Sequence, residues 1–217
     1  MPEGPEVLIL SKAINRYYME TVNVKTNSYG KHLIINDIME DWSFGLTGKV
    51  KIDHNNNLKK INTGLVYGQE NSYKEYDELV QGLSSKLGTD WMRSSRTLLQ
   101  QEVNKWVKSK RKLAALILDQ TKITGIGVAW GSEILFKAEL RPDVSACEQN
   151  LSKLVDIMIM IREEIEEIYT NELDKKTDKL TIKEFIDGWF SNLYEIREMN
   201  IYKKGTKLEV LGRNWWV

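Results

Sequence analysis

One stretch, residues 112–142, restricts the possible folds of this chain more than any other. It contains an apolar segment, then two glycines separated by one residue, Gly125 and Gly127, and then a second apolar segment. The apolar spacing predicts two helices, and the glycines predict a tight turn in which the backbone comes close to another group. Amide N–H groups at the start of a helix are suited to phosphate binding. The stretch therefore predicts a helix–turn–helix unit that contacts phosphate at Gly125 and Gly127.

The chain begins with two prolines and two glutamates close together, in the order Met1-Pro2-Glu3-Gly4-Pro5-Glu6-Val7. If Met1 is removed, Pro2 carries a free secondary amine, and a chain α-amine titrates at a pKa of about 8. Attack of this amine on the C1′ of a sugar gives an iminium ion, which acidifies C2′ and favours elimination of the 3′-phosphate. Glu3 and Glu6 are close enough in sequence to act as acid or base. The same residues also suit the start of a helix at 5–19.

The composition of the chain limits the kinds of binding site and cross-link that it can contain. The chain has 31 basic and 31 acidic residues and a formal net charge of zero, so a DNA-binding surface needs a local cluster of cations. One cysteine, Cys147, and two histidines, His32 and His54, exclude a four-cysteine zinc site and an internal disulfide. We recognise no signal peptide and no membrane-spanning apolar run, and therefore expect an intracellular protein without a cofactor.

Hydrophobic periodicity predicts further elements. Strands are expected at 21–25, 32–35 and 42–52, a weaker strand at 65–67, and turns at 27–30, 55–57 and 70–72. Helices are expected at 91–120, at 151–169, and after a cap at Thr181 with Glu184 three residues later. A hairpin is expected at 208–217, with its tip at 212–214. The predicted helix at 91–120 carries the main basic cluster, which is either a phosphate-binding surface or a solvated helix face: Lys105, Lys108, Lys110, Arg111 and Lys112.

Two separated motifs resemble those of the formamidopyrimidine-DNA glycosylase/endonuclease VIII family. The first is the hexapeptide 2–7, and the second is 112–142, which resembles the helix–two-turns–helix motif of that family. Weaker similarities are Gly30-Lys31 before an apolar strand and the small-residue turn at 45–48. Residues 201–205 resemble the lead-in to the family's zinc finger, but no cysteines follow. The chain is therefore similar to a short, zincless member.

The resemblance implies roles for individual residues. Catalysis is implied for the nucleophile Pro2, the acid/base Glu3, a second acid/base Glu6, and Lys31 at a phosphate beside the lesion. Support of Pro2 is implied for Glu133. DNA binding is implied for Lys31, for Leu46 in the gap left by a flipped base, for Gly125 and Gly127, and for Arg213 on the phosphate that Lys31 holds.

The chain departs from the family pattern in three places. The family commonly has a histidine where this chain has Ser43 or Phe44, and an asparagine where it has Val128. The Arg-Phe pair that wedges into the duplex is not found at 53–86. Either another residue does the wedging, or the protein depends less on opening an intact duplex. Because base extrusion costs least at damaged or unpaired sites, weak wedging would favour substrates that are already unpaired or abasic.

The resemblance implies an α+β fold, with an N-terminal β-sandwich that carries the N-terminal helix at 1–86. A helix–two-turns–helix domain at 87–200 and a zincless finger-like β-hairpin at 201–217 follow. The implied function is a monomeric, bifunctional DNA glycosylase/AP lyase of base-excision repair, which excises oxidised bases from damaged DNA by β,δ-elimination. The alternatives are an AP lyase with little base excision, a non-catalytic protein that binds damaged DNA, and a helical interaction protein without a DNA role.

Overall fold

A computed structural model describes residues 3–19, 25–36, 40–43, 48–62, 70–74, 76–196 and 199–217. In chain order its elements are α1 (Gly4–Tyr18), β1 (Thr26–Tyr29), β2 (His32–Ile35), β3 (Glu40–Ser43), β4 (Gly48–Ile52), β5 (Leu58–Asn62), β6 (Glu70–Ser72), α2 (Tyr76–Lys86), β7 (Thr89–Asp90), α3 (Arg96–Trp106), α4 (Leu113–Ile117), β8 (Ile123–Thr124), α5 (Val128–Lys137), α6 (Leu154–Asp174), α7 (Lys179–Ile196), β9 (Lys207–Val210) and β10 (Arg213–Trp216). Pro2, Leu46, the strand predicted at 65–67 and residues 21–24 of the strand predicted at 21–25 lie outside the described residues.

The chain divides into two compact units. Unit 1 comprises residues 1–85 and 165–197, and unit 2 comprises residues 86–164 and 198–217. The second unit begins within one residue of the domain limit predicted at 86/87, while the structure assigns 165–197 to the first unit and the terminal hairpin to the second. The domain limits from the sequence stay a prediction.

In unit 1, α1 is buried along nearly its whole length and packs on β1, β2 and α7. Polar side chains of α1 also have partners in this unit. The Asn15 side-chain amide donates to the Thr26 carbonyl at 2.9 Å and accepts the Thr26 N–H at 2.7 Å, as a neighbouring strand would. Lys12 pairs with Glu166 and Arg16 with Asp174. The C-terminal half of α1 is therefore anchored to strands and helices of its own unit.

Two antiparallel sheets complete unit 1. One has the strand order β1-β2-β3-β6, and the other pairs β4 with β5. Residues 70–72 form a strand rather than the predicted turn, because Ser72 pairs with Glu40 at the sheet edge. The turn predicted at 27–30 is also wrong, because 26–29 pair with β2 and the chain reverses at Gly30-Lys31. The predicted strand at 42–52 is interrupted, since β3 ends at Ser43 and β4 begins at Gly48.

Unit 2 is mainly helical and ends in the β9–β10 hairpin. The predicted helix at 91–120 is broken into α3 and α4, because residues 111–114 bond to 142–146: Leu113 N–H donates to the Val144 carbonyl at 3.0 Å, and Ala146 N–H to the Arg111 carbonyl at 3.0 Å. The hairpin is not frayed, because Thr206 and Val217 exchange both backbone hydrogen bonds.

The remaining helix limits also differ from the sequence pattern. Helix α6 begins three residues later than predicted and extends to Asp174. Helix α7 begins before Thr181, and the Asp178 carboxylate accepts the Thr181 N–H at 2.9 Å, so the predicted cap at Thr181 is wrong. Helix α2 was not predicted. The α+β class is confirmed. None of the described helices is long and apolar enough to span a membrane.

Candidate functional site

Glu3 and Glu6 hold each other at the start of α1. The Glu3 side chain accepts the backbone N–H of Glu6, and the Glu6 carboxylate accepts the Glu3 N–H at 2.9 Å, which is a reciprocal capping box. The Tyr169 hydroxyl lies 3.4 Å from the other Glu6 oxygen and donates to it. Glu3 is 5% exposed and Glu6 is fully buried. Two carboxylates are thus fixed at the start of α1, in surroundings largely shielded from water.

Lys31 lies in the two-residue turn between β1 and β2. Tyr29 pairs with His32 across this turn, and Gly30 has φ of +56°, a backbone conformation that favours glycine. Lys31 therefore immediately precedes an apolar strand, as the sequence pattern predicts. Its position is set by the hairpin, whose strand β2 packs on α1.

The turn before α5 is organised by Gln120, a residue of the 112–142 motif to which the sequence analysis gave no role. Its amide oxygen accepts the Gly125 N–H at 3.0 Å, and its amide nitrogen donates to the carbonyls of Leu118 at 3.1 Å and Ile126 at 2.9 Å. Gly125 has φ of +96° and Gly127 caps α5 with extended backbone; both are buried. The expectation that Gly125 presents an exposed N–H to phosphate is wrong, because Gln120 already accepts it. The sequence signal that could have identified Gln120 is a polar side chain just before a glycine turn.

Glu133 is a buried residue of α5 rather than a surface charge. Its carboxylate accepts the backbone N–H groups of Asn200 at 2.9 Å, Ile201 at 2.7 Å and Tyr202 at 2.8 Å, and the Asn200 side-chain amide at 3.1 Å. These bonds fasten the segment that leads into the β9–β10 hairpin. The support of Pro2 expected from Glu133 stays a prediction, since Pro2 is outside the described residues.

Arg213 lies directly after the hairpin turn and is exposed. The turn consists of Leu211 and Gly212, both with positive φ, so the tip is one residue earlier than predicted. Within the part of the chain that the structure describes, the Arg213 guanidinium has no ion pair or hydrogen bond. The hairpin is held on unit 2 by two tryptophans. The Trp215 ring lies against Gly131, and the Trp216 ring packs edge-on against the Tyr202 ring, with 4.6 Å between the ring centroids.

The predicted basic cluster is only partly available to an anion. Lys105 pairs with Glu102 at 2.6 Å, and Arg111 pairs with Asp119 at 3.1 Å. Lys108, Lys110 and Lys112 are exposed and have no carboxylate partner within 4 Å among the described residues. They lie in the connection between α3 and α4 rather than on one helix face. Trp106, which lies among them in sequence, is buried and donates to Glu102 at 3.1 Å.

The predicted residues thus fall into two groups. Unit 1 brings together Glu3 and Glu6 and also contains Lys31, while unit 2 contains Gly125, Gly127, Glu133 and Arg213. Among the described residues, no group of three or more His, Cys, Asp or Glu side chains could hold a metal ion. Cys147 is an exposed free thiol.

Comparison with known proteins gives one relative by sequence and many by structure. No family model matches the chain. A formamidopyrimidine-DNA glycosylase of Mycoplasma pneumoniae is 46% identical over 50 residues, which are 23% of this chain and 18% of that protein. The match thus spans about a fifth of the length of that relative.

Solved structures match over almost the whole chain. The MutM (Fpg) protein of Thermus thermophilus superposes with a TM-score of 0.67 at 16% identity, over 99% of this chain and 96% of that one. Lactococcus lactis Fpg, non-covalently bound to DNA containing an AP site, gives a TM-score of 0.62 at 18% identity, over 99% and 97%. The same protein in complex with N7-benzyl-Fapy-dG DNA gives 0.60 at 16% identity, again over 99% and 97%. The fold is shared from end to end.

Proposed function

We propose that this chain belongs to the formamidopyrimidine-DNA glycosylase family and is a DNA glycosylase of base-excision repair that also cleaves abasic sites; the short sequence match and the shared fold support this proposal. Pro2 is the nucleophile, Glu3 the acid/base, and DNA with an oxidised base or an abasic site the substrate. The solved structures are less than 25% identical to this chain, so they establish its fold. Its activity and its DNA partner are therefore part of the proposal.

The observation that carries the proposal is the pair of carboxylates at the start of α1. Glu3 and Glu6 are both buried and fixed by reciprocal hydrogen bonds, directly after a residue whose free amine would be a nucleophile. A helix start needs only one polar cap on its surface, and burying two carboxylates there costs free energy, which points to a use beyond capping. Proton transfer to and from a sugar beside Pro2 is such a use.

The proposed reaction balances as follows. The unprotonated Pro2 nitrogen forms a bond to C1′, the bond from C1′ to the base breaks, and the base leaves with one proton. Glu3 delivers a proton to the ring oxygen, so the sugar opens and the C1′–nitrogen bond becomes an iminium. A general base then removes a proton from C2′, which breaks the bond from C3′ to oxygen and releases the 3′-phosphate. A second elimination releases the 5′-phosphate, and water hydrolyses the iminium to regenerate Pro2.

Binding of the DNA strand is assigned to cations in both units. Lys31 is placed by the β1–β2 turn, and Arg213 projects from a hairpin that is closed at both ends. A guanidinium can form two parallel hydrogen bonds to one phosphate, and an ammonium acts as a compact positive charge. The roles of Leu46 in the duplex and of Gly127 at a phosphate belong to the same proposal.

A second candidate is an AP lyase with little base excision. It is favoured by Val128, the first residue of α5, whose apolar side chain cannot donate a hydrogen bond to a phosphate at this helix start. A substrate that is already abasic needs no base extrusion and depends less on such a contact. The two candidates share Pro2 chemistry and differ in the first step.

Borohydride trapping on an abasic-site duplex tests the shared chemistry, with the intact mass recorded on the same sample. Protein that begins at Pro2 is expected to give a covalent adduct with DNA. Protein with extra residues before Pro2, whose nitrogen is then an amide, is the matched control and is expected to give none. Absence of an adduct from protein confirmed to begin at Pro2 would reject the mechanism and favour a binding protein without chemistry.

Comparison of two substrates then separates the candidates. A glycosylase cleaves an oligonucleotide with an oxidised base as well as an abasic one, whereas the AP lyase cleaves only the second. Glu3→Gln, which can keep a cap to the Glu6 N–H, is expected to retain DNA binding and lose base excision. Unchanged excision by this variant would exclude the role assigned to Glu3.

A further inference from the structure

A second set of polar side chains in unit 1 centres on a buried carboxylate. Asp41 is fully buried in β3, and each of its oxygens meets a different side chain. His32 Nδ1 lies 2.7 Å from Oδ1, and the Tyr73 hydroxyl donates to Oδ2 at 2.8 Å. A carboxylate removed from water is stable only where donors satisfy it, and here an imidazole and a phenol do so.

The imidazole of His32 extends from this carboxylate towards the surface. Its side chain is 19% exposed, while that of Asp41 is wholly covered. With Nδ1 bonded to Asp41, the ring orientation is set and Nε2 is left on the far side of the ring. Among the described residues no other hydrogen bond of the His32 imidazole is found, so Nε2 remains available to a ligand.

His32 also occupies a particular place in the hairpin. It is the first residue of β2, next to Lys31, and pairs with Tyr29 on one side and Ser43 on the other. Two side chains that can carry positive charge therefore follow each other at one end of the sheet. Tyr73 remains a donor throughout the neutral range, because burial, and after it the Asp41 hydrogen bond, raises its pKa to about 12.

We propose that His32 is a second phosphate-binding residue beside Lys31, positioned by Asp41 and Tyr73, and that its Nε2–H contacts a phosphodiester oxygen of the DNA strand. This assignment rests on the proposed function and adds a specific contact to it. The imidazolium form donates from both nitrogens, to Asp41 on one side and to the phosphate on the other. Asp41 and Tyr73 act through His32 and are positioning residues.

The contact makes part of the DNA affinity depend on pH. A phosphate oxygen accepts hydrogen bonds, so His32 contributes in its protonated form and the contribution falls as pH rises. The charged and titratable groups nearest to it are Asp41, Tyr73, Tyr29, Lys31 and Glu40, and the Glu40 carboxylate is itself bonded to the Trp42 indole at 2.7 Å.

The test uses a fluorescent duplex with a tetrahydrofuran abasic-site analogue, which the enzyme cannot cleave, and measures anisotropy over a range of salt. His32→Gln is expected to bind about tenfold more weakly than wild type near pH 6, with a salt slope smaller by about 0.9, as for the loss of one phosphate contact. Near pH 8 the difference should shrink. His54→Gln is the matched control, because His54 is the only other histidine and is exposed in the β4–β5 turn.

Tyr73→Phe tests the positioning role. It leaves His32 and Asp41 in place and removes one donor to the carboxylate, so the pH dependence of binding should change while the affinity near pH 8 stays close to wild type. Equal pH profiles for wild type and Tyr73→Phe would remove Tyr73 from the assignment.

NMR of the wild-type protein provides a readout that needs no variant. With two histidines in the chain, two imidazole Cε1–H signals are expected, and the tetrahydrofuran duplex should shift that of His32 and leave that of His54. An unshifted His32 signal, or a His32→Gln variant equal to wild type at both pH values, would overturn the proposal while leaving the proposed function intact. Failure of the wild-type protein to bind the duplex would overturn both.

Discussion

The Glu133 carboxylate accepts the backbone N–H of Ile201 at 2.7 Å, although the two residues are 68 positions apart in the chain. The same carboxylate also accepts the N–H groups of Asn200 and Tyr202. One buried side chain of α5 therefore fixes three consecutive backbone groups at the base of the β9–β10 hairpin. The position of Arg213, at the far end of that hairpin, depends on this clamp.

Glu133→Gln should release the base of the hairpin. Glutamine offers one acceptor oxygen and adds an N–H₂ that faces backbone N–H groups, so buried donors lose their partner, and we expect unfolding free energy to fall by about 3 kcal/mol. Thermal unfolding and hydrogen exchange at 200–216 measure the effect. Glu148→Gln, at an exposed glutamate of the same unit, is the control and should leave both unchanged. Equal exchange rates at 200–216 in the two variants would contradict the clamp.

Gln120→Leu should loosen the turn between α4 and α5. The change leaves the Gly125 N–H and the carbonyls of Leu118 and Ile126 without their partner, and an unsatisfied buried group costs about 2 kcal/mol. Hydrogen exchange at Gly125 should accelerate, with DNA affinity reduced in parallel. Gln101→Leu, on the exposed side of α3, serves as the control. Protection of Gly125 that persists in Gln120→Leu would show that another group accepts its N–H.

Two glycines of unit 2 should respond to alanine for different reasons. A Cβ on Gly88 would overlap the Lys122 carbonyl and lie 2.7 Å from the Lys122 nitrogen, so the backbone itself must shift, and we expect a loss above about 3 kcal/mol. A Cβ on Gly212 meets nothing within 4 Å, and the cost there is only that of φ at +67°, about 1 kcal/mol. Denaturant unfolding of both variants gives the comparison. A larger loss for Gly212→Ala would refute this order.

The β4–β5 turn should contribute to stability in a pH-dependent way. Hydrogen bonds from the Asn57 N–H, and after them the Lys59 ammonium, lower the pKa of Asp53 to about 2. Since the unfolded value is about 3.9, the stabilisation is present above that pH and is lost as pH falls towards 2. Asp53→Asn should flatten the decline of stability in this window. Acid titrations followed by circular dichroism test this, with Glu209→Gln, an exposed carboxylate, as the control; an acid limb unchanged by Asp53→Asn would contradict it.

Arg213→Ala should weaken DNA binding without affecting the fold. The exposed guanidinium supports nothing in the described structure, so the melting temperature should stay the same, while loss of one phosphate contact should reduce the salt slope of binding by about 0.9. Lys207→Ala removes an exposed cation at the other end of the same hairpin and is the matched control. Equal salt slopes for the two variants would withdraw Arg213 from the DNA-binding set.

The sequence was informative where local chemistry is specific. Pro5, with Glu6 in the first turn, predicts the start of α1, and the glycines at 125 and 127 predict a turn before α5, because each depends on residues within a few positions. The turn near Gly30 was predicted three residues too early, although the positive φ that favours glycine is found at Gly30 itself. These features also carry the family resemblance.

Local patterns failed where distant pairing decides. Residues 70–72 are polar and resemble a turn, but their backbone groups pair with β3. Residues 107–112 continue a helical pattern, but the stretch that follows bonds to 142–146 instead. Strand and helix preferences differ by less than such hydrogen bonds contribute, so the tertiary partner overrides them.

The sequence alone thus determined the start of α1, the glycine turn before α5 and the family resemblance, since these are written in neighbouring residues. Only the tertiary structure decided what the polar groups do: that Glu133 clamps residues 200–202, that Gln120 occupies the Gly125 N–H, and that His32 and Tyr73 meet on Asp41. The physical reason is that a buried polar group must find a hydrogen-bond partner wherever the folded chain places one, and that partner can be any number of residues away.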